Sequence, residues 1–301
     1  MAVLGGTGFV GSRLWPRLRA AGAELVLGSR HAIDTPAGVT HVRCDLETGQ
    51  GLDAALEGVH TAYFLFHGMA GGPDFAERER SAAESFIAAA NRRGVGHVIY
   101  LGGLYPAGEL SEHLESRRQV GQRLIDGVGA LAVRAGVIVG AGGTSFEILR
   151  GLCQRLPLML APRWLASRCQ PVGIADTVEA LARAGSLPAA REVDIAGPDI
   201  LTYREMLEIT GAELKGRRPL MFPVPLLSPE LSAHWLRLVT RVDMNVARSL
   251  VTSLRHDMIA ERTLLASELG MRPAGFRETV RTALEESGRQ EVRRAVGAGP
   301  G

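Results

Sequence analysis

The sequence predicts an α/β fold in which helices cover both faces of a parallel sheet. Short apolar runs alternate with helical patterns through residues 1–140. Parallel strands need a crossover connection, usually a helix, so this alternation indicates a doubly wound sheet. A glycine-rich loop directly after the first apolar run is typical of such sheets. Beyond Gly140, prolines interrupt shorter helical patterns. We therefore expect a Rossmann-type domain followed by a smaller, mostly helical C-terminal lobe.

Six apolar runs in the first half have the length and composition of strands. They are Ala2–Leu4, Glu24–Leu27, Val39–Arg43, Thr61–Phe66, His97–Leu101 and Leu131–Val139. Only four residues precede Gly5, fewer than the five or six usual in a strand, which leaves room for a longer native form. Between the fourth and fifth runs a helical pattern begins at Phe75 and ends before Gly94, a typical helix stop after two arginines.

Composition and charge argue against several classes of protein. The 301 residues carry a net charge of +2, and 46% of them are hydrophobic. This balance provides no basic surface for nucleic acid or an anionic membrane, and no run of about 20 apolar residues predicts a spanning helix. Three scattered cysteines form neither a disulfide framework nor a metal motif. We expect a globular cytoplasmic protein without a metal site, whose oligomeric state the sequence leaves open.

The glycine-rich loop has the spacing of a dinucleotide-binding turn. Gly5, Gly8 and Gly11 stand at its first, fourth and seventh positions, between a strand and an amphipathic helix. The first glycine permits the tight turn, the second lets the backbone approach a pyrophosphate, and the third allows close packing of helix against strand. The helix N-terminus attracts the anion. Expected cofactor contacts from the loop are Gly5, Thr7, Gly8, Phe9, Val10 and Gly11.

The end of the second strand selects the nucleotide, because the ribose lies about 20 residues beyond the glycine loop. An NAD site has a carboxylate there, whereas an arginine accommodates the 2′-phosphate of NADP. The residues here are Ser29 and Arg30. They favour NADP(H) as the cofactor, although a solvated loop arginine is the alternative in such an arginine-rich chain.

The sequence resembles the extended and atypical short-chain dehydrogenase/reductases, particularly the NmrA-like branch and the nucleotide-binding accessory subunit of respiratory complex I. Besides the glycine loop, the resemblance rests on Asp45-Leu46, Leu65–His67, Val98–Leu104, Val133–Gly140 and Pro171–Asp176. It implies cofactor contacts from Asp45, Leu46, Leu65, Phe66, His67, Leu101, Gly102 and Val137. It also implies that residues 171–190 return to the nucleotide domain.

These signals predict two domains. Residues 1–140 form the NAD(P)-binding domain, and residues 141–301 form the substrate lobe apart from the returning segment. Residues 288–301 are rich in glycine and arginine without apolar periodicity. We expect them to be a flexible tail.

The catalytic residues of the resembled family are missing. Active members place a serine near the end of the fifth strand, then a tyrosine and a lysine four residues apart on the next helix. There the tyrosine exchanges a proton with the substrate oxygen, the serine hydrogen-bonds that oxygen, and the lysine lowers the tyrosine pKa and holds the ribose. The corresponding positions here read Gly102 or Gly103, His113 and Arg117. Since Lys215 is the only lysine, no other alignment restores the pair.

Three side chains near the positions of the missing serine, tyrosine and lysine are candidate catalytic residues. His113 and Arg117 lie one turn apart on a predicted helix. His113 is expected to donate a proton near neutral pH, and Arg117 to hold the ribose or a phosphate. Tyr105, just upstream, is a second possible donor. A solvated or helix-capping histidine is the alternative for His113.

Two functions remain open at this stage. The favoured one is an NADP(H)-dependent oxidoreductase acting on an apolar or aromatic small molecule. Its substrate class follows from the apolar residues of the lobe, Phe146, Leu149, Leu152, Leu158, Met159 and Trp164. The alternative is a catalytically inactive protein that senses NADP(H) or stabilises a complex, which loss of the catalytic set favours.

Overall fold

The computed structural model describes residues 1–66, 74–106, 110, 112–156, 158–224 and 256–297. For residues 112, 113, 223 and 293–297 it describes the secondary structure alone. The strands are β1 Ala2–Leu4, β2 Leu25–Ser29, β3 Val39–Arg43, β4 Thr61–Phe64, β5 His97–Gly103, β6 Leu131–Ala135, β7 Ile138–Val139, β8 Leu158–Pro162, β9 Arg168–Cys169, β10 Val172–Gly173, β11 Arg191–Ile195, β12 Leu201–Thr202 and β13 Leu220–Val224. The helices are α1 Gly11–Ala20, α2 Leu52–Ala55, α3 Phe75–Arg93, α4 Glu112–Val128, α5 Thr144–Arg155, α6 Ile174–Ala184, α7 Tyr203–Lys215, α8 Leu264–Ser267 and α9 Phe276–Gly297, and a 3₁₀ turn spans Arg163–Ala166.

The central sheet has seven strands in the order β11-β6-β5-β4-β1-β2-β3. All neighbours run parallel. Val3 of β1 pairs with Leu27 on one side and Tyr63 on the other, so the strand order reverses at β1. In such a sheet, ligands bind at the carboxyl ends of the strands beside this reversal. The predicted α/β fold with a doubly wound parallel sheet is confirmed.

Helix α3 packs on this sheet through one apolar face. Its residues Ala82, Phe86 and Ala90 recur on one face and are fully buried. The Phe86 ring lies 4.9 Å from that of Phe64 on β4. The helix ends at Gly94, whose φ of 64° is left-handed, as the sequence predicts. Glu79 on the same helix is also buried, with 2% exposure.

The chain divides into two compact units. The first comprises Met1–Ala135, Asp176–Ile195 and Ala260–Met271, and the second comprises Gly136–Ala175, Ala196–Ile259 and Arg272–Gly301. In the first unit β11 pairs with β6 as the outermost strand. In the described residues of the second unit, the strands form the two-stranded sheets β10-β7, β12-β9 and β13-β8.

One local expectation from the sequence was wrong. The run Leu131–Val139 is not one strand, because β6 ends at Ala135 in the large sheet and β7 pairs with β10 in another. Residues 288–297 belong to α9, which continues to Gly297, and the flexibility expected for residues 288–301 stays a prediction. Good helix formers there maintain a helix without an apolar stripe, and an ion pair of 2.7 Å joins Glu291 to Arg150. Residues 298–301 lie outside the described ranges.

A capping box of Thr202 and Glu205, a signal that is local in the sequence, begins α7. No helix in the described ranges combines the length and the apolar character needed to cross a bilayer.

Candidate nucleotide-binding and active site

The glycine loop turns sharply out of β1. Gly5 has a φ of 89°, a conformation that favours glycine. Its N–H donates to the carbonyl of Gly28 at 3.2 Å, and the Gly8 N–H donates to the carbonyl of Gly5 at 3.0 Å. A Cβ on Gly5 would lie 3.0 Å from the carbonyl oxygen of Leu65. The turn therefore depends on a residue without a side chain.

The other two glycines of the loop have different surroundings. A Cβ on the buried Gly11 would overlap the Gly5 carbonyl oxygen and approach the Gly6 Cα to 2.9 Å. Gly8 is exposed, and among the described residues the close neighbour of a Cβ there would be the Gly5 carbonyl oxygen at 3.2 Å. Gly11 is thus required for packing, whereas Gly8 leaves the backbone open to an incoming group. This arrangement fits a pyrophosphate at the loop.

The electrostatics of α1 also fit an anion. The first turn of this helix contains no acidic residue, so its positive dipole end is not neutralised. The guanidinium of Arg13 lies 4.8 Å from the centre of the Phe9 ring and donates to the Phe9 carbonyl at 2.9 Å. Sequence reasoning missed this cation, although a base in the first turn after the loop was the available signal.

The end of β2 combines Ser29 with two histidines. Ser29 is buried, and its Oγ donates to the carbonyl oxygen of His31 at 2.7 Å. The same Oγ lies 2.9 Å from Nε2 of His41 on β3. Arg30 is exposed. Sequence reasoning missed His41, whose contact arises only because β2 and β3 pair side by side.

The segments after β3 and β4 are held by the backbone. The Asp45 carboxylate accepts the Glu47 N–H at 2.9 Å, and the Leu46 side chain is buried. The Leu65 N–H donates to the carbonyl of Leu4 at 3.0 Å. Leu65 and Phe66 are half-buried. These residues stand at the carboxyl edge of the sheet, where a dinucleotide would lie.

Arg117 joins the ends of two strands. Its guanidinium donates to the carbonyl oxygens of Phe66 at 3.3 Å and Leu101 at 3.1 Å. It also pairs with the Glu79 carboxylate at 3.5 Å. The Ser116 hydroxyl donates to the other oxygen of that carboxylate at 2.9 Å. The buried pair therefore links α3, α4 and the carboxyl ends of β4 and β5.

Two tyrosine hydroxyls are directed at the backbone of α4. Those of Tyr100 and Tyr105 lie 3.5 Å and 3.4 Å from the carbonyl oxygen of Arg117. Desolvation raises the pKa of Tyr100 to about 12 and raises the pKa of Tyr105 above its usual range. Both phenols therefore remain protonated near neutral pH. Gly102 on β5 is buried, and a Cβ there would lie 3.0 Å from the Tyr100 ring.

Three sequence-predicted site residues belong to the second unit or have no described side chain. His67 is outside the described residues. His113 belongs to α4, one turn before Arg117, but its side chain is also outside them. Val137 is in the second unit, where its carbonyl accepts the Val172 N–H at 2.9 Å. Among the described residues, no group of three or more potential ligands could hold a metal ion.

Residues 5–145 match a family model described as NAD(P)H-binding. Among solved structures, gox2253 aligns with a TM-score of 0.74 and 22% sequence identity, covering 96% of this chain and 98% of that chain. The triphenylmethane reductase of Citrobacter sp. has a TM-score of 0.74 and 18% identity, covering 94% and 99%. The Escherichia coli NADPH-dependent quinone oxidoreductase QOR2, complexed with NADPH, has a TM-score of 0.72 and 18% identity, covering 93% and 98%. A search of curated proteins gave no significant match.

At these identities the solved structures show a shared fold. The matched family residues contain the glycine loop, the end of β2 and the Arg117 cluster. Residues 5–145 of this chain therefore form an NAD(P)-binding domain of the Rossmann type.

Proposed function

We propose that this protein is an NADP(H)-dependent oxidoreductase that acts on an apolar or aromatic small molecule without the usual serine, tyrosine and lysine set. The observation that carries the choice of NADP(H) is Arg30. It is exposed directly after β2, and no ion pair among the described residues uses it. An arginine at this position provides charge-assisted hydrogen bonds to a 2′-phosphate.

Different segments of the chain would bind different parts of the cofactor. The loop from Gly5 to Gly11 and the N-terminus of α1 receive the pyrophosphate, and Ser29 with Arg30 receives the adenosine ribose and its phosphate. Asp45 and Leu46 border the adenine. Bound NADPH would supply a hydride, while the protein orients the reactants and excludes water. We propose these contacts, and membership of the atypical short-chain dehydrogenase/reductases, on the basis of the resemblance in the sequence.

Arg30→Ala is expected to remove the preference for NADPH over NADH, reducing affinity for NADPH about tenfold because one charge-assisted contact is lost at an exposed site. Titration by cofactor fluorescence measures both affinities. Arg19→Ala replaces an exposed arginine on α1 and serves as the control. Equal affinity of the parent protein for the two cofactors would contradict the proposal.

We propose His113 as the proton donor, with Tyr105 as the second candidate. The Tyr105 hydroxyl donates to a helix carbonyl, so its proton already has an acceptor. Imidazole is the side chain that carries a transferable proton near neutral pH. Arg117 remains the candidate for the ribose contact, but its bonds to both strand ends mean that its removal would also disturb the fold.

His113→Phe is expected to lower turnover about 100-fold or more, the usual contribution of a positioned general acid, with little change in cofactor affinity. Tyr105→Phe is expected to stay within a few-fold of the parent. The assay follows NADPH oxidation with quinones and triphenylmethane dyes, the compounds named for two structural neighbours. Turnover should also fall as pH rises, since the protonated imidazole is the acid. The opposite ranking of the two variants would assign the proton to Tyr105.

The substrate class rests on the apolar character of the second unit. Phe146, Leu152 and Met159 are buried there, whereas Leu158 is exposed by 49%. The first three residues therefore form part of the core of that unit. We propose that they affect the choice of substrate by determining the shape of the unit.

The three cysteines are free and buried. This supports the proposed cytoplasmic location, because such thiols suit a reducing compartment.

A second function is favoured by one observation. Arg117, one of the three candidate catalytic residues, already bonds to protein groups, namely Phe66, Leu101 and Glu79. An inactive NADP(H) sensor or complex-stabilising protein needs no free proton donor. Tight NADPH binding without oxidation of the cofactor by any quinone, dye or aromatic carbonyl would favour this alternative.

A further inference from the structure

The second unit has a two-stranded sheet whose outer face is apolar and exposed. Its strands β8 and β13 run parallel, and each pairs only with the other among the described strands. We propose that this outer face, called here the β8–β13 face, binds the surface of an anionic lipid bilayer. The inference goes beyond the proposed function and does not depend on it.

The register of the two strands places four large apolar side chains side by side. Leu158 of β8 pairs with Leu220 of β13, and Leu160 pairs with Phe222. Alternate residues of a strand point to the same face of a sheet, so these four side chains form the β8–β13 face. They are exposed by 49%, 65%, 40% and 54%, in that order. Met159, between the two leucines of β8, is fully buried on the opposite face.

Exposed apolar side chains are concentrated on this face. Among the described residues, seven large apolar side chains are exposed, and four of them belong to this sheet. The other three, Met1, Ile200 and Val292, are isolated in the sequence. Single apolar side chains are normal on a protein surface, whereas a contiguous group marks an interaction site. A strand pair with an open apolar face is also prone to aggregation unless a partner covers it.

Both strands come from segments without an acidic residue. Residues 148–175, which include β8, and residues 214–224, which include β13, contain seven arginines and lysines in total and no aspartate or glutamate. The net charge of the whole chain is only +2. The charge balance of the chain therefore does not describe this sheet, which lies in a local excess of positive charge.

Three exposed cations lie at the ends of the two strands. Lys215 and Arg217 come shortly before β13, and Arg163 directly follows β8. Among the described residues, none of the three enters an ion pair. The Lys215 Nζ donates to the carbonyl oxygen of Gln154 at 2.7 Å, which places this ammonium beside the end of α5, just before β8. The cations thus border the apolar face at both of its ends.

An apolar face bordered by cations fits an anionic bilayer better than a second copy of the chain. Apolar side chains enter the boundary between headgroups and acyl chains, while cations attract anionic headgroups. Four half-exposed side chains supply well under the roughly 800 Å² that each partner contributes to a stable protein interface. A second copy would also add cations to this face rather than the anions that would complement it.

The test is sedimentation of the full chain with lipid vesicles. Vesicles of phosphatidylcholine alone are compared with vesicles that also contain about 30% phosphatidylglycerol, an anionic lipid. We expect binding to the anionic vesicles to be at least about tenfold stronger, because each cation near such a surface adds to the affinity. Raising the NaCl concentration from about 50 mM to about 500 mM should weaken this binding, since salt screens exposed charges.

Two double variants separate the apolar and the charged contributions. Leu220→Ser with Phe222→Ser should reduce affinity for anionic vesicles about 100-fold, because two apolar side chains no longer enter the bilayer. Lys215→Gln with Arg217→Gln should reduce it about tenfold. The matched controls replace exposed residues outside this sheet and should bind as the parent does. They are Ile200→Ser with Val292→Ser, and Arg19→Gln with Arg43→Gln.

Three results would overturn the proposal. The first is absence of binding to anionic vesicles, or undiminished binding by Leu220→Ser with Phe222→Ser. The second is a dimer of the parent, detected by analytical ultracentrifugation without lipid, that dissociates in this variant, because a second copy would then cover the face. The third is a lower thermal midpoint of the variant with unchanged vesicle binding, because another part of the chain would then cover it.

Discussion

Replacing Gly8 with valine is expected to abolish cofactor binding while the protein remains folded. Gly8 is exposed, and within the described part of the chain a Cβ there would lie 3.2 Å from the Gly5 carbonyl oxygen. A side chain therefore requires the Gly5 carbonyl to shift by a few tenths of an ångström, and two methyl groups would fill the space through which the pyrophosphate approaches the loop. We expect no saturable binding of NADPH at millimolar concentration, measured by fluorescence titration, with a thermal midpoint close to that of the parent.

Two other glycines provide the comparison. Gly11→Val should lower the thermal midpoint as well as binding, since its side chain would overlap the Gly5 carbonyl. Gly288→Val, on α9, would place its Cβ more than 4 Å from the described residues outside its own helix turn and should leave affinity unchanged. Retained affinity in Gly8→Val would show that the nucleotide binds elsewhere. Unfolding of Gly8→Val with intact Gly11→Val would reverse the roles derived for the two glycines.

Replacing Glu79 with glutamine is expected to reduce the free energy of unfolding by about 3–5 kcal/mol, because it removes the negative charge of a buried ion pair with the Arg117 guanidinium. The exposed fractions of the two side chains are 2% for Glu79 and 10% for Arg117. Denaturant unfolding followed by circular dichroism measures the loss. Cofactor affinity should fall too, since Arg117 holds the strand ends at Phe66 and Leu101.

The same helix contains a matched control. Glu77 pairs with Arg80, and their side chains are exposed by 65% and 45%. Glu77→Gln should change the free energy of unfolding by less than about 1 kcal/mol, as exposed pairs contribute little. The double variant Glu79→Leu with Arg117→Met should be more stable than Glu79→Gln, because it removes both buried charges together. A loss below about 1 kcal/mol in Glu79→Gln would contradict a buried charge pair.

Much of the fold could be predicted because its signals are local. Apolar runs bounded by turns predicted the strands of the first half, and Gly94 marked the end of α3. The capping box at Thr202 was equally local. The run Leu131–Val139 failed for the opposite reason. Its apolar pattern continues through Gly136, but the pairing of β6 with β11 and of β7 with β10 separates it into two strands.

The sequence by itself determined the class of fold, the glycine loop, the arginine after β2 and the loss of the usual catalytic set. These features depend on residue type and short spacing. Only the tertiary structure decided that Ser29 contacts His41 and that Arg117 contacts Glu79, pairs 12 and 38 residues apart in the sequence. Strand order brings the first pair together, and packing of α3 against α4 brings the second. A polar side chain acquires its partner from such long-range contacts, because periodicity determines which face of an element is buried but not which group lies opposite.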